Sequence, residues 1–223
     1  MVSAVQSFLM TVKKKYKVAI IDYEFGNAVS VKNALDYLKI KNEIKKKPNK
    51  LKSFTHLILP GDGFFPSTVN VLKKEKWDKA ILSFFKSSNR KVIGICVGLQ
   101  VMCNFSSEGQ GCKGFGLIKG KCIKLDKKNK KKIKLPHIGF NKVNINNIKY
   151  SDYFYFIHSY GIQIDKEFYH KILIEKDNQL GFTNYGINFL SFINTKKIAG
   201  FQFHPEKSSN QGLTLLKKTI EFI

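Results

Sequence analysis

Arginine is almost missing. Arg90 is the only one among 39 basic residues. Proteins that read base edges or clamp phosphates bidentately draw on the guanidinium fork. A lysine-only basic set therefore argues against a dedicated nucleic-acid reader, although the formal net charge is +23. Acidic residues are also few, 16 in 223. The longest basic runs, Lys13–Lys15, Lys45–Lys47 and Lys127–Lys132, fall between apolar segments and read as solvated loops. The four cysteines, Cys96, Cys103, Cys112 and Cys122, form no C-x-x-C pair, which removes the usual zinc and redox motifs. No apolar run approaches the roughly 18 residues of a membrane span. The start, Met1–Thr11, is mildly apolar, but its positive charges follow it, the wrong order for a signal peptide. The expectation is a cytoplasmic protein with neither nucleic acid nor membrane as partner.

What is present is a core. Hydrophobic residues make up 43% and aromatics 13%, which excludes intrinsic disorder. A chain of 223 residues suits one domain, expected over residues 16–223 behind an extension at 1–15. Tyr16–Asp22, His56–Leu59 and Lys91–Ile95 read as short buried strands. Helical patterns follow each of them. These are Ser30–Leu38, a stretch capped by Ser67 and running through Phe85, and Val97–Asn104. That alternation predicts an α/β fold: a mostly parallel sheet flanked by helices. The second half is strand-rich, at Leu117–Leu125, Ile133–Ile145, Tyr153–Ser159, Lys171–Glu175, Phe189–Ile193 and Ile198–Phe203. It predicts extra antiparallel strands, with Asn210–Ile223 as a closing helix.

One turn carries chemistry. Gly94-Ile95-Cys96-Val97-Gly98 stands between a strand and a helix, the G-x-nucleophile-x-G pattern with cysteine as nucleophile. The turn is sharp, so its neighbours must be small. The helix start directs free N–H groups at the sulfur, which favours thiolate, and the Val97 N–H is placed for an oxyanion. A nucleophile needs a base and the base an orienting group. Among five histidines, only His204 ends a strand and is followed at once by proline and a carboxylate, in Phe203-His204-Pro205-Glu206.

These two blocks, Gly94–Gln100 and Gly200–Ser208, resemble the signatures of class I glutamine amidotransferases. Further blocks narrow the likeness: Ile20–Tyr23 with Gly26-Asn27 and Ser30-Val31, Leu59–Phe65, Pro136–Asn141 and Tyr155–Tyr160. Together they resemble the glutaminase (HisH-type) subunit of imidazole glycerol phosphate synthase, from about Tyr16 to the C-terminus. The resemblance implies a flavodoxin-like class I amidotransferase fold without metal or cofactor. It implies a Cys96–His204–Glu206 triad acting on L-glutamine through a thioester. Val97, Gly61 and Gly63 would serve the oxyanion, and Gln100, His158, Ser159 and Tyr160 the substrate. Lys207, Phe140 and Asn27 would face a separate (β/α)8-barrel cyclase (HisF-type) in a heterodimer, which receives the ammonia for histidine biosynthesis.

The pattern also departs from the family. Asp62 stands where an apolar residue is usual, Phe140 where tryptophan is usual, Glu24 for glycine, and Ala28-Val29 for Leu-Arg. Two other readings follow. One is a related glutaminase that supplies ammonia to a surface-polysaccharide sugar amidotransferase. The other is a non-catalytic basic binding protein on the same fold.

Overall fold

The computed structural model describes residues 16–23, 26–126, 133–146 and 150–222. The extension at 1–15, the runs Lys13–Lys15 and Lys127–Lys132, and Glu24 lie outside them.

Four short strands open the fold: β1 (Lys17–Ile21), β2 (Lys41–Lys45), β3 (His56–Leu59) and β4 (Lys91–Ile95). Between them come α1 (Ala28–Tyr37), α2 (Phe65–Lys74) and α3 (Trp77–Lys86). Each helix turns one apolar stripe inward, as with Val31 and Leu35 of α1 or Val69 and Leu72 of α2. After β4 come the single turn α4 (Val97–Gln100) and strands β5 (Cys103–Ser106), β6 (Cys112–Lys113) and β7 (Ile118–Lys124). Next come β8 (His137–Ile145), β9 (Tyr150–His158) and β10 (Tyr160–Ile164). The chain ends with α5 (Lys166–Ile174), β11 (Gln179–Tyr185), β12 (Ile187–Asn194), β13 (Ile198–Phe201) and α6 (Ser209–Glu221).

All these strands join one sheet, in the order β2-β1-β3-β4-β13-β12-β10-β7-β5-β6. The first five are parallel, and antiparallel pairing begins at β13–β12. A branch leaves at β12 through β11 and β8 to β9. Strands such as HLIL, apolar after His56, are buried on both faces, as parallel strands between helix layers must be. β4 and β13 lie side by side with Gly94 opposite Gly200, so Cys96 and the segment leading to His204 leave the sheet at the same end.

The structure corrects four expectations. The helix expected from Ser67 through Phe85 is two helices, broken where Lys76 takes a left-handed φ of 63°; Ser67 lies inside the first, not at its cap. The helix expected over Val97–Asn104 stops after Gln100, and Cys103 already pairs in β5. Lys171–Glu175 is not a strand. It belongs to α5, where Phe168, Tyr169, Ile172 and Leu173 pack on the core at helical spacing. Strands β2, β5, β6, β10 and β11 were not anticipated.

Candidate active site

Cys96 sits between β4 and α4 with φ 52° and ψ −114°. A non-glycine residue in that region costs on the order of 1–3 kcal/mol and persists only where the surroundings enforce it. Four glycines do so here. A Cβ on Gly98 would lie 2.0 Å from the Leu59 carbonyl oxygen, and one on Gly94 2.5 Å from the Leu99 backbone. A Cβ on Gly61 would meet the Gly98 nitrogen at 2.3 Å, and one on Gly200 the Leu99 side chain at 2.3 Å. The elbow is thus pressed between β3 and β13 with no room for side chains. The Cys96 N–H donates to the Phe201 carbonyl at 2.7 Å, tying the elbow to the strand that leads to His204.

His204 and Glu206 are assembled by the turn after β13. His204 Nδ1 and Glu206 Oε1 are 2.8 Å apart, with both side chains 2% exposed. Pro205 starts a 3-10 turn over Pro205–Lys207, which folds the carboxylate back onto the ring. The turn is clamped from β9. The His204 N–H donates to the Tyr155 carbonyl at 2.9 Å, and the Tyr155 N–H to Ser208 Oγ at 2.9 Å. Ser208 Oγ–H in turn donates to the His204 carbonyl at 2.6 Å.

Electrostatics sort the histidines. Burial opposes charge on His204, but Cys96 and Glu206 outweigh it and raise its pKa to about 10. Its Nε2 is buried without a well-formed hydrogen bond while remaining under the influence of the Cys96 sulfur. Catalytic hydrogen bonds are often long before substrate binds. His158 is pushed down to about 3, by burial first, and His137 to about 4, again by burial.

Gly63, Val97, Gln100, His158, Ser159 and Tyr160 line one cavity of about 240 Å³ with Cys96. Asp62, Glu108, Pro136 and Ile157 complete it. Gly61 lies behind the elbow instead. Gln100 Nε2 donates to the Tyr160 carbonyl at 2.7 Å and to Gln202 Oε1 at 3.0 Å. Lys207 and Phe140 are exposed and outside this cavity. Asn27 is also outside it and caps α1, accepting the Ser30 N–H at 3.1 Å. No lysine pairs with Asp62 among the described residues.

Sequence reasoning missed three neighbours of the nucleophile. Gln202 Nε2 stands 3.8 Å from Cys96 Sγ. The signal was there: strand alternation puts Gln202 on the face of His204, between Phe201 and Phe203. Glu108 brings a carboxylate to the cavity and accepts the Phe65 N–H at 2.9 Å. Nothing in Ser106–Gly109 distinguishes it from a surface turn. Tyr23 lies behind the elbow; burial, then Cys96 and Asp62, raise its hydroxyl pKa, and its O–H donates to the Pro60 carbonyl.

The family model "Glutamine amidotransferase class-I" matches residues 19–221. The chain belongs to that family. It is 36% identical over 213 residues to the imidazole glycerol phosphate synthase subunit HisH of Caldanaerobacter subterraneus subsp. tengcongensis, covering 92% of this chain and 98% of that protein. It is 33% identical over 207 residues to the protein of the same name from Bacillus subtilis, covering 89% and 93%. Likeness of this extent places it among the HisH-type glutaminase subunits, which are enzymes. Solved structures share the fold. A glutamine amidotransferase crystal structure superposes with TM-score 0.67 at 14% identity, covering 92% of this chain and 98% of that one. The structure of PurLQS from Thermotoga maritima gives 0.61 at 14%, covering 92% of this chain and 97% of that one.

Proposed function

We propose that this chain hydrolyses L-glutamine to glutamate and ammonia at Cys96, and that the ammonia passes to a separate (β/α)8 cyclase. That partner would use it to form imidazole glycerol phosphate and the aminoimidazole carboxamide ribonucleotide of histidine biosynthesis. The observation that carries the reading is the His204–Glu206 pair, 2.8 Å apart and buried, set against a cysteine held at a strained elbow.

Cys96 gives its proton to His204 Nε2, whose raised pKa lets it hold that proton as an imidazolium, and the thiolate attacks the side-chain amide carbon of glutamine. The amide oxygen becomes an oxyanion beside the first N–H groups of α4, which have no intrahelical partner. Gly63, at φ 145°, lies on the cavity wall nearby and is the second oxyanion element. The C–N bond breaks, and His204 returns the proton to the departing ammonia. His204 then takes a proton from water, which attacks the thioester carbon. The thiolate leaves, glutamate is released and Cys96 regains its proton. Glu206 fixes the tautomer throughout by accepting the Nδ1–H across the 2.8 Å contact. A nucleophilic thiol needs a reducing compartment, which supports the cytosol.

The partner reading rests on the hairpin of β8 and β9. Ile138, Phe140 and Tyr153 project from its outer face, 57%, 53% and 55% exposed. Phe140 keeps an aromatic ring where the family has tryptophan, packed edge-on against Tyr155 with centroids 5.7 Å apart. Tyr155 also holds the His204 turn, so a protein docked on this face touches a residue that clamps the base.

The test is glutamine hydrolysis and ammonia-dependent product formation with a histidine-pathway cyclase, in wild type and Cys96→Ala. Partner-dependent turnover that disappears in Cys96→Ala is expected. Turnover with only a sugar-amidating barrel partner would move the chain to that pathway. Salt-sensitive nucleic-acid binding without glutaminase activity would make it a binding protein.

A further inference from the structure

We propose that Gln202 is a further catalytic residue: its side-chain amide donates an N–H to the Cys96 sulfur and holds it as the attacking thiolate, while Gln100 fixes which end of that amide faces the sulfur. The inference rests on the reading of Cys96 as nucleophile.

The orientation of both amides follows from a carbonyl that cannot turn. Tyr160 O accepts from Gln100 Nε2 at 2.7 Å. If Gln100 were flipped, two acceptor oxygens would face each other at that distance, so its nitrogen must point there. The second hydrogen of the same nitrogen meets Gln202 Oε1 at 3.0 Å. If Gln202 were flipped, two donors would be opposed. Its Oε1 is therefore committed to Gln100, and its Nε2 is left to face Cys96 Sγ at 3.8 Å. The Gln202 main chain is also tied, its N–H donating to the Ser191 carbonyl at 2.8 Å, and the residue is fully buried. A solvent-exposed amide would be free to turn; this one is not.

The sulfur needs such a donor. The Ile157 carbonyl oxygen lies 3.8 Å from Cys96 Sγ and accepts the thiol S–H. Once the proton moves to His204, that oxygen faces a negative sulfur and opposes it. Gln202 is a neutral donor that offsets this repulsion from a different direction. Unlike His204, it gives up no proton, so the same donor meets the sulfur when it attacks as thiolate and again when it leaves as thiolate. Hydrogen bonds to a charged group are the strong ones, and they are lost in full when a buried donor is removed.

The test is alkylation of Cys96 by iodoacetamide in the full chain, followed by site-resolved mass spectrometry from about pH 5 to about pH 9. Wild type, Gln202→Met and Gln202→Glu are compared. The other groups around the sulfur stay in place in every variant. These are His204 and Tyr23, with Asp62 and Glu108 across the cavity. The partly exposed Cys112 is the internal reference. The alkylation midpoint of Cys96 is expected to rise by about one pH unit in Gln202→Met and further in Gln202→Glu, with Cys112 unchanged. In the partner complex, kcat for glutamine should fall roughly 10- to 100-fold in Gln202→Met with KM little changed. A merely structural loss would lower both thiol profiles' amplitude or the melting temperature, not move one midpoint. A folded Gln202→Met or Gln202→Glu with the wild-type Cys96 profile and turnover overturns the proposal. If Cys96→Ala itself still hydrolyses glutamine, the reading beneath it fails instead.

Discussion

Strands β4 and β13 carry buried titratable groups at both ends, and the two ends behave oppositely. At one end His204 faces Glu206 and Cys96 and keeps its proton far above its ordinary pH. At the other, Lys91 begins β4 fully buried. Its Nζ donates to Asn194 Oδ1 at 2.8 Å, to the Thr219 carbonyl at 2.9 Å and to the Phe222 carbonyl at 2.5 Å. None of these partners is charged, and burial lowers its pKa to about 7. His56, beside it on β3, is driven down to about 3 by burial and then by Lys91. Burial alone lowers a base's pKa; an opposite charge built into the same pocket raises it. Lys91 ties the C-terminus of α6, where a cation suits the helix dipole, and serves the fold. His204 serves chemistry.

Cys96→Ala should break the active end most completely, lowering glutamine turnover of the complex by about 10,000-fold or more while leaving urea unfolding intact. Glu206→Gln keeps the shape but removes the charge that holds His204, and turnover should fall roughly 100- to 10,000-fold. Lys91→Met should do the reverse. It strands three acceptors and should cost about 3 kcal/mol in urea denaturation, with turnover per folded molecule retained. If Lys91→Met abolished turnover in a folded protein, the division between the ends would collapse. The pH dependence of stability is the finest probe. His56, His137 and His158 have folded pKa values of about 3 to 4, below the ordinary 6.5, so the unfolded chain binds more protons in between. Stability should therefore fall as pH drops from 6.5 toward 4. His204 works the other way. Its contribution is complete below 6.5 and is lost as pH rises toward about 10. Lys91 opposes His204 over that range, because its pKa of about 7 lies below the ordinary value and makes stability rise with pH above 7. In denaturation series the acid slope should therefore appear in wild type, and Glu206→Gln, which weakens the His204 contribution, should make the alkaline limb rise more steeply with pH.

The elbow was legible because its chemistry is local. Gly94, Cys96 and Gly98 lie within one turn, and Pro205 sets His204 and Glu206 two residues apart. The parallel half was legible because buried strands such as HLIL and KVIGI are unbroken apolar runs after a single titratable first residue. What was hidden depended on contacts distant in sequence. CVGLQVMC is buried on every side, so periodicity could not show that the helix stops after Gln100. Lys-Ile-Leu-Ile in α5 reads as a short apolar strand until Phe168 and Tyr169 are counted with it. The break at Lys76 carries neither glycine nor proline. Glu108 reaches the cavity only because β5 pairs with β7.

The claim that everything else depends on is that Cys96 is the glutamine-attacking group. Titrating the partner complex with a glutamine-like chloroketone, and following turnover together with mass-spectrometric labelling of each cysteine, tests it directly. The account predicts that turnover falls in proportion to labelling of Cys96 and that glutamine slows both. Turnover surviving complete modification of Cys96, or inactivation with the label on Cys112 alone, would contradict it.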